Sequence, residues 1–470
     1  MPMKKLTDSQ MRDFVRNGFV RVQTALPPEF HREIFRASEE LNKEGNPGNN
    51  LLAKVPAMQK IYDDPGVAGA LASILGDDYF MQPHRHMHFN PPGSPGQTMH
   101  KDSFTRRRHH TRWMVTFYFP QDTTVEMGPT GVVPGSHYFN KYNPETDTPE
   151  SFMAGPAGSV VIANYDVWHR ATPNRSQKNR YMHKYLFTRM SEPTAPSWRS
   201  TGDAWVAKKG DQHTAMWSHM WDWHYGKLSK GRAGTLEMSE KEIRQKVAAL
   251  SNDSERVAFD AAYTLAKVGE KAARPLVKLL SDGSAEKWYT ELTRRPPGQT
   301  SPSANASYAL MAMGAPAVPL LVDLASSRNM WNRASAVVTL MDIGPAAKAS
   351  VPAIAAALKD DSPLVRQFAA EAMGTVSQGT SKGVAALVPA LKDQDETVRR
   401  FAALSLAKIG PHAKGATKAL ISSLGDSNRY VVGNALHALH RIDTAESREA
   451  VLAHLFTARW DRLTTKTSLY

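Results

Sequence analysis

The stretch GSVVIANYDVWH, residues 158–169, runs through β-branched and small residues and ends in a histidine. RWMVTFYF at 112–119 and GVVPGSH at 131–137 have the same character, and Pro or Gly turn signals separate these runs. Short β-branched or aromatic runs between turn signals are typical of strands in an antiparallel sandwich or barrel. Ahead of them, residues 8–22 predict a capped helix that runs into a strand, and residues 27–41 predict a second amphipathic helix.

The second half of the chain repeats at an interval of 33 residues. LKDDSPLVRQFAAEAM (358–373), LKDQDETVRRFAALSL (391–406) and LGDSNRYVVGNALHAL (424–439) align with one another, and fainter copies begin further upstream. A polar turn and two helices in each copy predict a stacked α-solenoid. These units, about six in number, resemble short, Ala-rich HEAT repeats. The small residues expected on the packing face are Ala369, Ala402 and Ala435, and the fainter copies begin near Leu250, Leu280 and Leu324.

The composition limits the classes of partner. The net charge of +13 divides into +5 for residues 1–200 and +8 for residues 201–470, so the excess is diffuse and nucleic acid is not an expected partner. The sequence has no cysteine, which excludes disulfides and thiolate metal sites and agrees with a cytoplasmic protein. A membrane span needs an apolar run of roughly 18 residues, and we expect none in this sequence. We therefore also expect no membrane partner.

A histidine and an aspartate stand two residues apart in TMHKDSF, residues 98–104. In a strand such residues point to the same face, so His100 and Asp102 are expected to project together. His169 follows an apolar strand and is the candidate for a third ligand. Two His and one carboxylate suit the facial Fe(II) site of non-haem oxygenases, although zinc hydrolases also use these ligand types.

Arg180 lies 11 residues after His169, a distance that allows a turn and entry into the next antiparallel strand. A guanidinium there can bind the distal carboxylate of 2-oxoglutarate in a bidentate pair. A zinc hydrolase does not need this arginine, so the oxygenase is favoured. Arg175 is the competing candidate, and Arg170 is a weaker one because it neighbours the ligand His169.

Taken together, HKD, EMGPTGVVPGSH (126–137) and GSVVIANYDVWHRATPNRSQKNR (158–180) resemble the phytanoyl-CoA dioxygenase family of Fe(II)/2-oxoglutarate oxygenases, and the likeness extends over about residues 7–192. The resemblance implies a double-stranded β-helix (jelly roll) with flanking helices. It implies Fe(II), 2-oxoglutarate and O2 as cofactors. It also implies that the metal ligands and catalytic residues are His100, Asp102 and His169, and that the residue binding 2-oxoglutarate is Arg180.

Two positions refine what the resemblance implies. Many members of the family have Ser or Thr two residues after the second histidine, where this sequence has Ala171, and Thr172 or Ser176 are possible substitutes. Halogenating relatives have Gly or Ala in place of the aspartate, so Asp102 favours hydroxylation or a related C–H oxidation over halogenation.

Other side chains have a functional and a structural interpretation. The basic cluster at 106–112 could bind an anionic group of the substrate or form a solvated loop; its arginines are Arg106, Arg107, Arg108 and Arg112. Histidines in PHRHMHFN could hold a second metal or line the pocket; these are His84, His86 and His88. A tryptophan-rich segment could stack a ligand or form a hydrophobic packing seam; it contains Trp205, Trp217, Trp221 and Trp223.

The sequence therefore predicts a jelly-roll dioxygenase domain at 1–195, a Trp-rich connector at 196–239 and an α-solenoid at 240–460. The predicted activity is hydroxylation of an unactivated C–H bond in a small, anionic metabolite, with release of succinate and CO2. Two alternatives stay open. The substrate could be a protein or peptide that the HEAT-like repeats recruit, or the protein could be a non-catalytic scaffold.

Overall fold

A computed structural model of the chain describes residues 2–103, 108–142, 148–202, 204–230, 235–286 and 301–458. These residues form two compact units. The first contains the chain up to Met190 together with Pro196–Trp205, and the second contains Ser191–Ala195 together with the chain from Val206 onward.

The first unit consists of helices followed by antiparallel strands. Its α-helices are α1 (Asp8–Asn17), α2 (Pro28–Glu44), α3 (Leu51–Lys54), α4 (Gln59–Asp63) and α5 (Pro65–Leu75). Its strands are β1 (Phe19–Gln23), β2 (Phe80–Asn90), β3 (Trp113–Tyr118), β4 (Thr130–Val132), β5 (Ser151–Phe152), β6 (Ser159–Asn164), β7 (His169–Ala171) and β8 (Arg180–Thr188). Short 3₁₀ helices lie at Gly48–Asn50, Pro56–Met58, Val125–Met127 and Ser136–Tyr138.

The strands form two antiparallel sheets. One has five strands in the order β1-β6-β3-β8-β2, and the other has three in the order β5-β4-β7. Side chains from both sheets share one buried cluster, in which Phe117, Val161 and Met182 of the larger sheet meet Val132 of the smaller one. The predicted jelly roll with flanking helices is confirmed, and its core lies between the two sheets.

Strand β8 is buried on both faces. Because successive side chains point to opposite faces of a strand, alternate residues of β8 lie in two different environments. The face toward the smaller sheet carries Met182 and Leu186, which belong to the shared cluster. The opposite face packs under the helices, where Ser38 Oγ of α2 lies 2.9 Å from His183 Nε2. The inward-facing residues by this alternation are Arg180, Met182, Lys184 and Leu186; the outward-facing residues are Tyr181, His183, Tyr185 and Phe187.

The second unit is helical. Its α-helices are α6 (Thr214–His224), α7 (Glu240–Ala249), α8 (Glu255–Val268), α9 (Glu270–Leu280), α10 (Pro302–Met313), α11 (Val318–Leu324), α12 (Met330–Ile343), α13 (Val351–Ala357), α14 (Pro363–Val376), α15 (Val384–Ala390), α16 (Glu396–Ile409), α17 (Thr417–Ser422), α18 (Arg429–Ile442) and α19 (Ala445–Ala458). Short 3₁₀ helices lie at Lys227–Lys230, Ala315–Ala317, Gly344–Ser350, Gly410–Ala416 and Ser423–Gly425.

The 33-residue repeat predicted from the sequence is confirmed in the helices themselves, because α12, α14, α16 and α18 begin at Met330, Pro363, Glu396 and Arg429. The alanines expected on the packing face, Ala369, Ala402 and Ala435, have no exposed surface. The fold class of the second half, an all-α HEAT-like solenoid, is therefore also confirmed.

A ladder of ion pairs that the sequence analysis missed links successive repeats. In each pair the arginine binds an aspartate 27 residues further on with two hydrogen bonds of 2.6–3.2 Å. Bidentate pairs of this kind fix the orientation of both partners. The pairs are Arg333–Asp360, Arg366–Asp393 and Arg399–Asp426.

One stretch of the solenoid is more apolar than we expected from the sequence. Residues Met330–Ala357 reach a mean hydropathy of 1.2 over an 18-residue window, which is as apolar as a membrane span. Of that window, 61% is buried inside the structure, and the 3₁₀ segment Gly344–Ser350 divides it into two helices. This stretch therefore supplies core helices of the repeats.

The tryptophans of the predicted connector are divided between the two units. The ring of Trp205 lies in the first unit, 4.5 Å from the guanidinium of Arg16. Trp221 and Trp223 lie on α6 in the second unit and are almost fully buried. Trp223 also donates to a carboxylate oxygen of Glu192 over 3.2 Å. The tryptophans of each unit are thus engaged in packing within that unit.

Candidate metal centre

The three side chains predicted as metal ligands lie together in the first unit. The ligand atoms of His100, Asp102 and His169 are all within 4.8 Å of one another. His169 Nε2 is 3.4 Å from Oδ2 of Asp102, and the two imidazole centroids are 4.6 Å apart. One carboxylate and two imidazoles at this separation can converge on a single ion.

The segment that carries His100 and Asp102 is not a strand, contrary to the sequence prediction. His100 makes a single antiparallel bridge with His169, through two backbone hydrogen bonds of 3.0 Å, and residues 101–103 have no regular secondary structure. Asp102 is instead held by the ammonium group of Lys184, whose Nζ lies 2.9 Å from Oδ2. The bridge positions the histidine and the ion pair positions the aspartate.

Both histidines are oriented by backbone carbonyls. Nδ1 of His100 is 2.8 Å from the carbonyl oxygen of Thr98, and Nδ1 of His169 is 3.0 Å from that of Val167. A carbonyl can only accept, so each Nδ1 carries the proton and each Nε2 has a free lone pair. Hydrogen bonds of this kind orient metal-binding histidines in proteins. The two imidazoles are therefore prepared to bind a metal through Nε2.

The charges around Asp102 keep its carboxyl group ionised. Burial opposes ionisation, but the adjacent Lys184 ammonium outweighs it and holds the pKa of Asp102 well below its usual range. Burial and the neighbouring His169 lower the pKa of His100, which favours the neutral form. An ionised Asp102 and a neutral His100 are in the protonation states in which such side chains bind a divalent metal.

Arg180 begins β8, as the sequence analysis predicted, and its side chain is 1% exposed. Its Nε donates to the carbonyl oxygen of Gly128 over 3.0 Å. The two terminal nitrogens are buried and have no hydrogen-bond partner among the described residues. Burial lowers the pKa of Arg180 to about 10, which still leaves it charged at neutral pH. Such a guanidinium is suited to a bidentate anion.

The competing arginines are engaged or exposed. Arg170 makes two hydrogen bonds of 2.8 and 2.9 Å to the carboxylate of Glu150, and Arg175 lies on the surface. In the basic cluster, Arg108 and Arg112 are 7% and 2% exposed, so a solvated loop does not describe them. The other two arginines of the cluster, Arg106 and Arg107, lie outside the described residues.

Two histidines of β2 border the centre. His86 pairs across the strands with Lys184, and His88 pairs with Met182, which places both on the inward face. His84 lies in the irregular register between Met81 and Arg85. Burial and the neighbouring Lys184 lower the pKa of both His86 and His88. Within the described residues, these histidines form no second cluster of metal ligands.

Sequence reasoning missed Thr130, a residue of β4. Its side chain is 2% exposed, and the buried Oγ1 has no hydrogen-bond partner in the part of the chain that the structure describes. Thr130 pairs directly with Ala171 of β7. The motif EMGPTGVVPGSH contains this threonine, but only the strand register reveals that it lies opposite Ala171.

The sequence of residues 6–182 matches the phytanoyl-CoA dioxygenase family. The match lies in the N-terminal part of this chain. Residues 350–414 and 384–467 match HEAT repeats. The chain therefore joins a region that matches the phytanoyl-CoA dioxygenase family to a region that matches HEAT repeats. This agrees with the resemblance noted in the sequence.

Solved structures similar to this chain include the following three. The non-haem alpha-ketoglutarate-dependent carbocyclase SnoK of nogalamycin biosynthesis is 18% identical, with TM-score 0.34, over 41% of this chain and 88% of that one. EctD from S. alaskensis with bound Fe is 14% identical, with TM-score 0.35, over 40% and 78%. HygX from Streptomyces hygroscopicus with nickel and 2-oxoglutarate is 14% identical, with TM-score 0.34, over 39% and 87%. No protein with a curated description matches the sequence.

The family match makes the chain an Fe(II)/2-oxoglutarate-dependent oxygenase that uses O2 as oxidant. The donor set fits this chemistry, because one carboxylate and two imidazoles leave three positions of an octahedral ion open. An enzyme that uses a dicarboxylate co-substrate also needs a cationic group away from the metal, and Arg180 is a buried cation with free donors.

Proposed function

We propose that His100, Asp102 and His169 hold the iron and that Arg180 binds the distal carboxylate of 2-oxoglutarate. The observation that carries this proposal is the pairing of two features in one barrel. Three ligand atoms converge within 4.8 Å, and a buried guanidinium has two terminal nitrogens without partners among the residues that the structure describes. Iron and 2-oxoglutarate supply the oxidation of a C–H bond, with succinate and CO2 as co-products. The protein supplies orientation and a site from which water is excluded.

We further propose that the reaction is a hydroxylation and that the substrate is a small, anionic metabolite. Asp102 occupies the position that would otherwise take a halide. Cationic and imidazole groups line the inward face beside the centre, with Lys184 and His86 on paired strands. Buried groups of this kind attract an anion more strongly than solvated ones. We place the enzyme in the cytoplasm, and the HEAT repeats are candidates for binding a protein partner.

The test is an anaerobic visible spectrum of the full-length, metal-free protein to which Fe(II) and then 2-oxoglutarate are added. We expect a metal-to-ligand charge-transfer band in the wild type, a lost or weakened band in Asp102→Ala, and a band that needs much more 2-oxoglutarate in Arg180→Leu. Arg175→Leu is the matched control, because its side chain is exposed, and it should behave as the wild type does.

The absence of a band in folded wild-type protein would contradict the proposed site. Equal weakening by Arg175→Leu and Arg180→Leu would contradict the role of Arg180. If the band forms, succinate release in the presence of candidate acids tests the substrate class. Stimulation by neutral or cationic metabolites alone would contradict the anionic substrate.

A further inference from the structure

The hydroxyl group of Thr130 is buried without a hydrogen-bond partner among the described residues. Burying a hydroxyl without a hydrogen-bond partner is unfavourable, so such groups usually have a partner in the working protein. Thr130 therefore marks a place where a partner that the described residues do not supply can complete the hydrogen bonding.

The strand register shows which way Thr130 points. In the β4–β7 pair, Val132 lies opposite His169 and Thr130 lies opposite Ala171. Val132 belongs to the buried cluster between the sheets, and residues two apart on a strand share a face. Thr130 therefore points into the same interior as His169. The intervening residue Gly131 faces the other way, because a Cβ there would meet the side chain of Glu150.

The same segment holds Arg180. The carbonyl oxygen of Gly128, two residues before Thr130, accepts a hydrogen bond from Nε of Arg180 over 3.0 Å. It also accepts one from Nδ2 of Asn90, over 3.1 Å, and Asn90 pairs with Arg180 across β2 and β8. On β4, Val132 lies opposite the proposed iron ligand His169. Thr130 lies between Val132 and Gly128, whose carbonyl oxygen binds Arg180.

The two hydroxyl groups that the sequence analysis offered as substitutes at this site are already engaged. Thr172 donates from Oγ1 to the carbonyl oxygen of Pro129 over 2.7 Å. Ser176 donates to Oδ1 of Asn174 over 2.8 Å. Neither hydroxyl needs a further acceptor, whereas the hydroxyl of Thr130 has no acceptor within the described part of the chain.

We propose that Oγ1 of Thr130 donates to the distal carboxylate of 2-oxoglutarate, the group that Arg180 binds. Thr130 thereby takes the place of the hydroxyl that relatives carry two residues after the second histidine. Directly opposite residues of an antiparallel pair have Cβ atoms about 4.5–5.5 Å apart, so a hydroxyl at either position reaches the same carboxylate. This inference rests on the proposed function, because it requires 2-oxoglutarate to bind with its distal carboxylate at Arg180.

The test compares 2-oxoglutarate affinity, from titration of the charge-transfer band, in wild type and in Thr130→Val. Valine keeps the shape of threonine and removes the hydroxyl. A lost hydrogen bond to a charged group corresponds to an affinity weaker by about tenfold or more. Fe(II) affinity, measured by metal titration without 2-oxoglutarate, should not change, because Thr130 is not a metal ligand.

Two controls separate the distal carboxylate from general damage. Pyruvate, a 2-oxo acid without a second carboxylate, should bind wild type and Thr130→Val equally. The double variant Thr130→Val/Ala171→Ser returns a hydroxyl from the opposite strand, and we expect it to recover most of the lost 2-oxoglutarate affinity.

The outcomes distinguish this inference from the proposed function. No charge-transfer band in the wild type would overturn the proposed function and the inference with it. A normal wild-type band with unchanged 2-oxoglutarate affinity in Thr130→Val would overturn the inference alone. Equal weakening of pyruvate and 2-oxoglutarate would also overturn it, because the effect would then not concern the distal carboxylate.

Discussion

Lys184 places an ammonium group against a carboxylate that a metal ion also needs. Its Nζ is 2.9 Å from Asp102, and the two side chains are only 10% and 12% exposed. Without metal, Lys184 is the cation that compensates the buried Asp102 charge. A metal ion brings a second positive charge to the same carboxylate, so the ammonium and the metal share one partner.

Replacing Lys184 by methionine should therefore lower the stability of the metal-free protein and increase the stabilisation that a bound metal provides. We expect the metal-free variant to be less stable by about 3 kcal/mol, because one partner of a buried ion pair is removed. Mn(II) should then stabilise the variant more than it stabilises the wild type, because the metal becomes the only cation at Asp102. Thermal melting with and without Mn(II) measures both effects. Lys178→Met, at an exposed lysine, is the control. An equal stabilisation of the wild type and Lys184→Met by Mn(II) would contradict this expectation.

His183 gives the first unit a sensitivity to acid. Burial lowers the pKa of His183 to about 3, against about 6.5 for an exposed histidine. The unfolded chain therefore binds a proton that the folded chain does not, and the stability present above pH 6.5 is lost as the pH falls toward 3. Through this one histidine, the free energy of unfolding falls by about 1.4 kcal/mol for each pH unit below 6.5.

His183→Gln should remove that dependence while keeping a polar group beside Ser38 Oγ, which lies 2.9 Å from His183 Nε2. Between pH 7.5 and pH 5, we expect the variant to lose about 2 kcal/mol less stability than the wild type. Urea unfolding at the two pH values gives the comparison. Parallel losses in the two proteins would show that His183 is already protonated in the folded state or does not titrate on unfolding.

At the scale of single residues, the sequence predicted the ligand set because two-residue spacing and the position after an apolar strand are local features. It could not predict the partners that hold these residues. Lys184 meets Asp102 across 82 positions of sequence, and Thr130 faces Ala171 through strand pairing. Contacts of this kind depend on register, which one sequence does not reveal for short strands such as β4 and β7.

At the scale of elements, helix α14 contains a glycine where the solenoid brings two helices close together. A Cβ added to Gly374 would lie 2.6 Å from the Cβ of Ser405 in α16. The Ser405 hydroxyl also donates to the carbonyl oxygen of Ala370 over 2.6 Å. Glycine normally weakens a helix interior by about 1 kcal/mol relative to alanine, so the close approach of α14 and α16 explains its presence.

Gly374→Ala should therefore destabilise the solenoid although it improves helix propensity. Overpacking of a tight contact costs about 1–3 kcal/mol, which exceeds the propensity gain. Gly425→Ala is the matched control, because nothing lies within 4 Å of its added Cβ, and it should change stability by less than about 0.5 kcal/mol. Urea unfolding followed by circular dichroism at 222 nm measures both, and a stabilised Gly374→Ala would contradict this account.

The elements differ in how far their sequence specifies them. The helices of the repeats were predictable because a period of 33 residues recurs and each helix carries its own packing alanine. Polar residues precede α12, α16 and α18 at the same interval, with the side chains of Asn329, Asp395 and Asn428 capping them. The segment around His100 gave a strand-like pattern, but only one bridge forms, because Asp102 turns toward Lys184 instead of pairing.

At the scale of the whole molecule, the two units differ in how widely ligand binding at one site should stabilise their elements. In the first unit, the candidate ligands come from distant parts of one barrel, so ligand binding stabilises the elements that carry them. In a solenoid each repeat contacts mainly its neighbours, and stability is close to a sum of local terms. The two halves of the chain should therefore respond differently to the same ligands.

Hydrogen exchange of the full chain tests this difference. A ligand that binds only the folded site stabilises it by RT ln(1 + [L]/Kd), about 2.7 kcal/mol at 100 times Kd. With Mn(II) and 2-oxoglutarate at that level, we expect amide exchange to slow about a hundredfold in the slowest-exchanging amides of β7 and β8. Exchange in α14, α16 and α18 should not change. Asp102→Ala with the same additions is the control and should show less slowing, because one of the three candidate ligands is removed. Slower exchange in the repeats of the wild type would contradict independent responses and would mean that the solenoid senses the occupied metal centre.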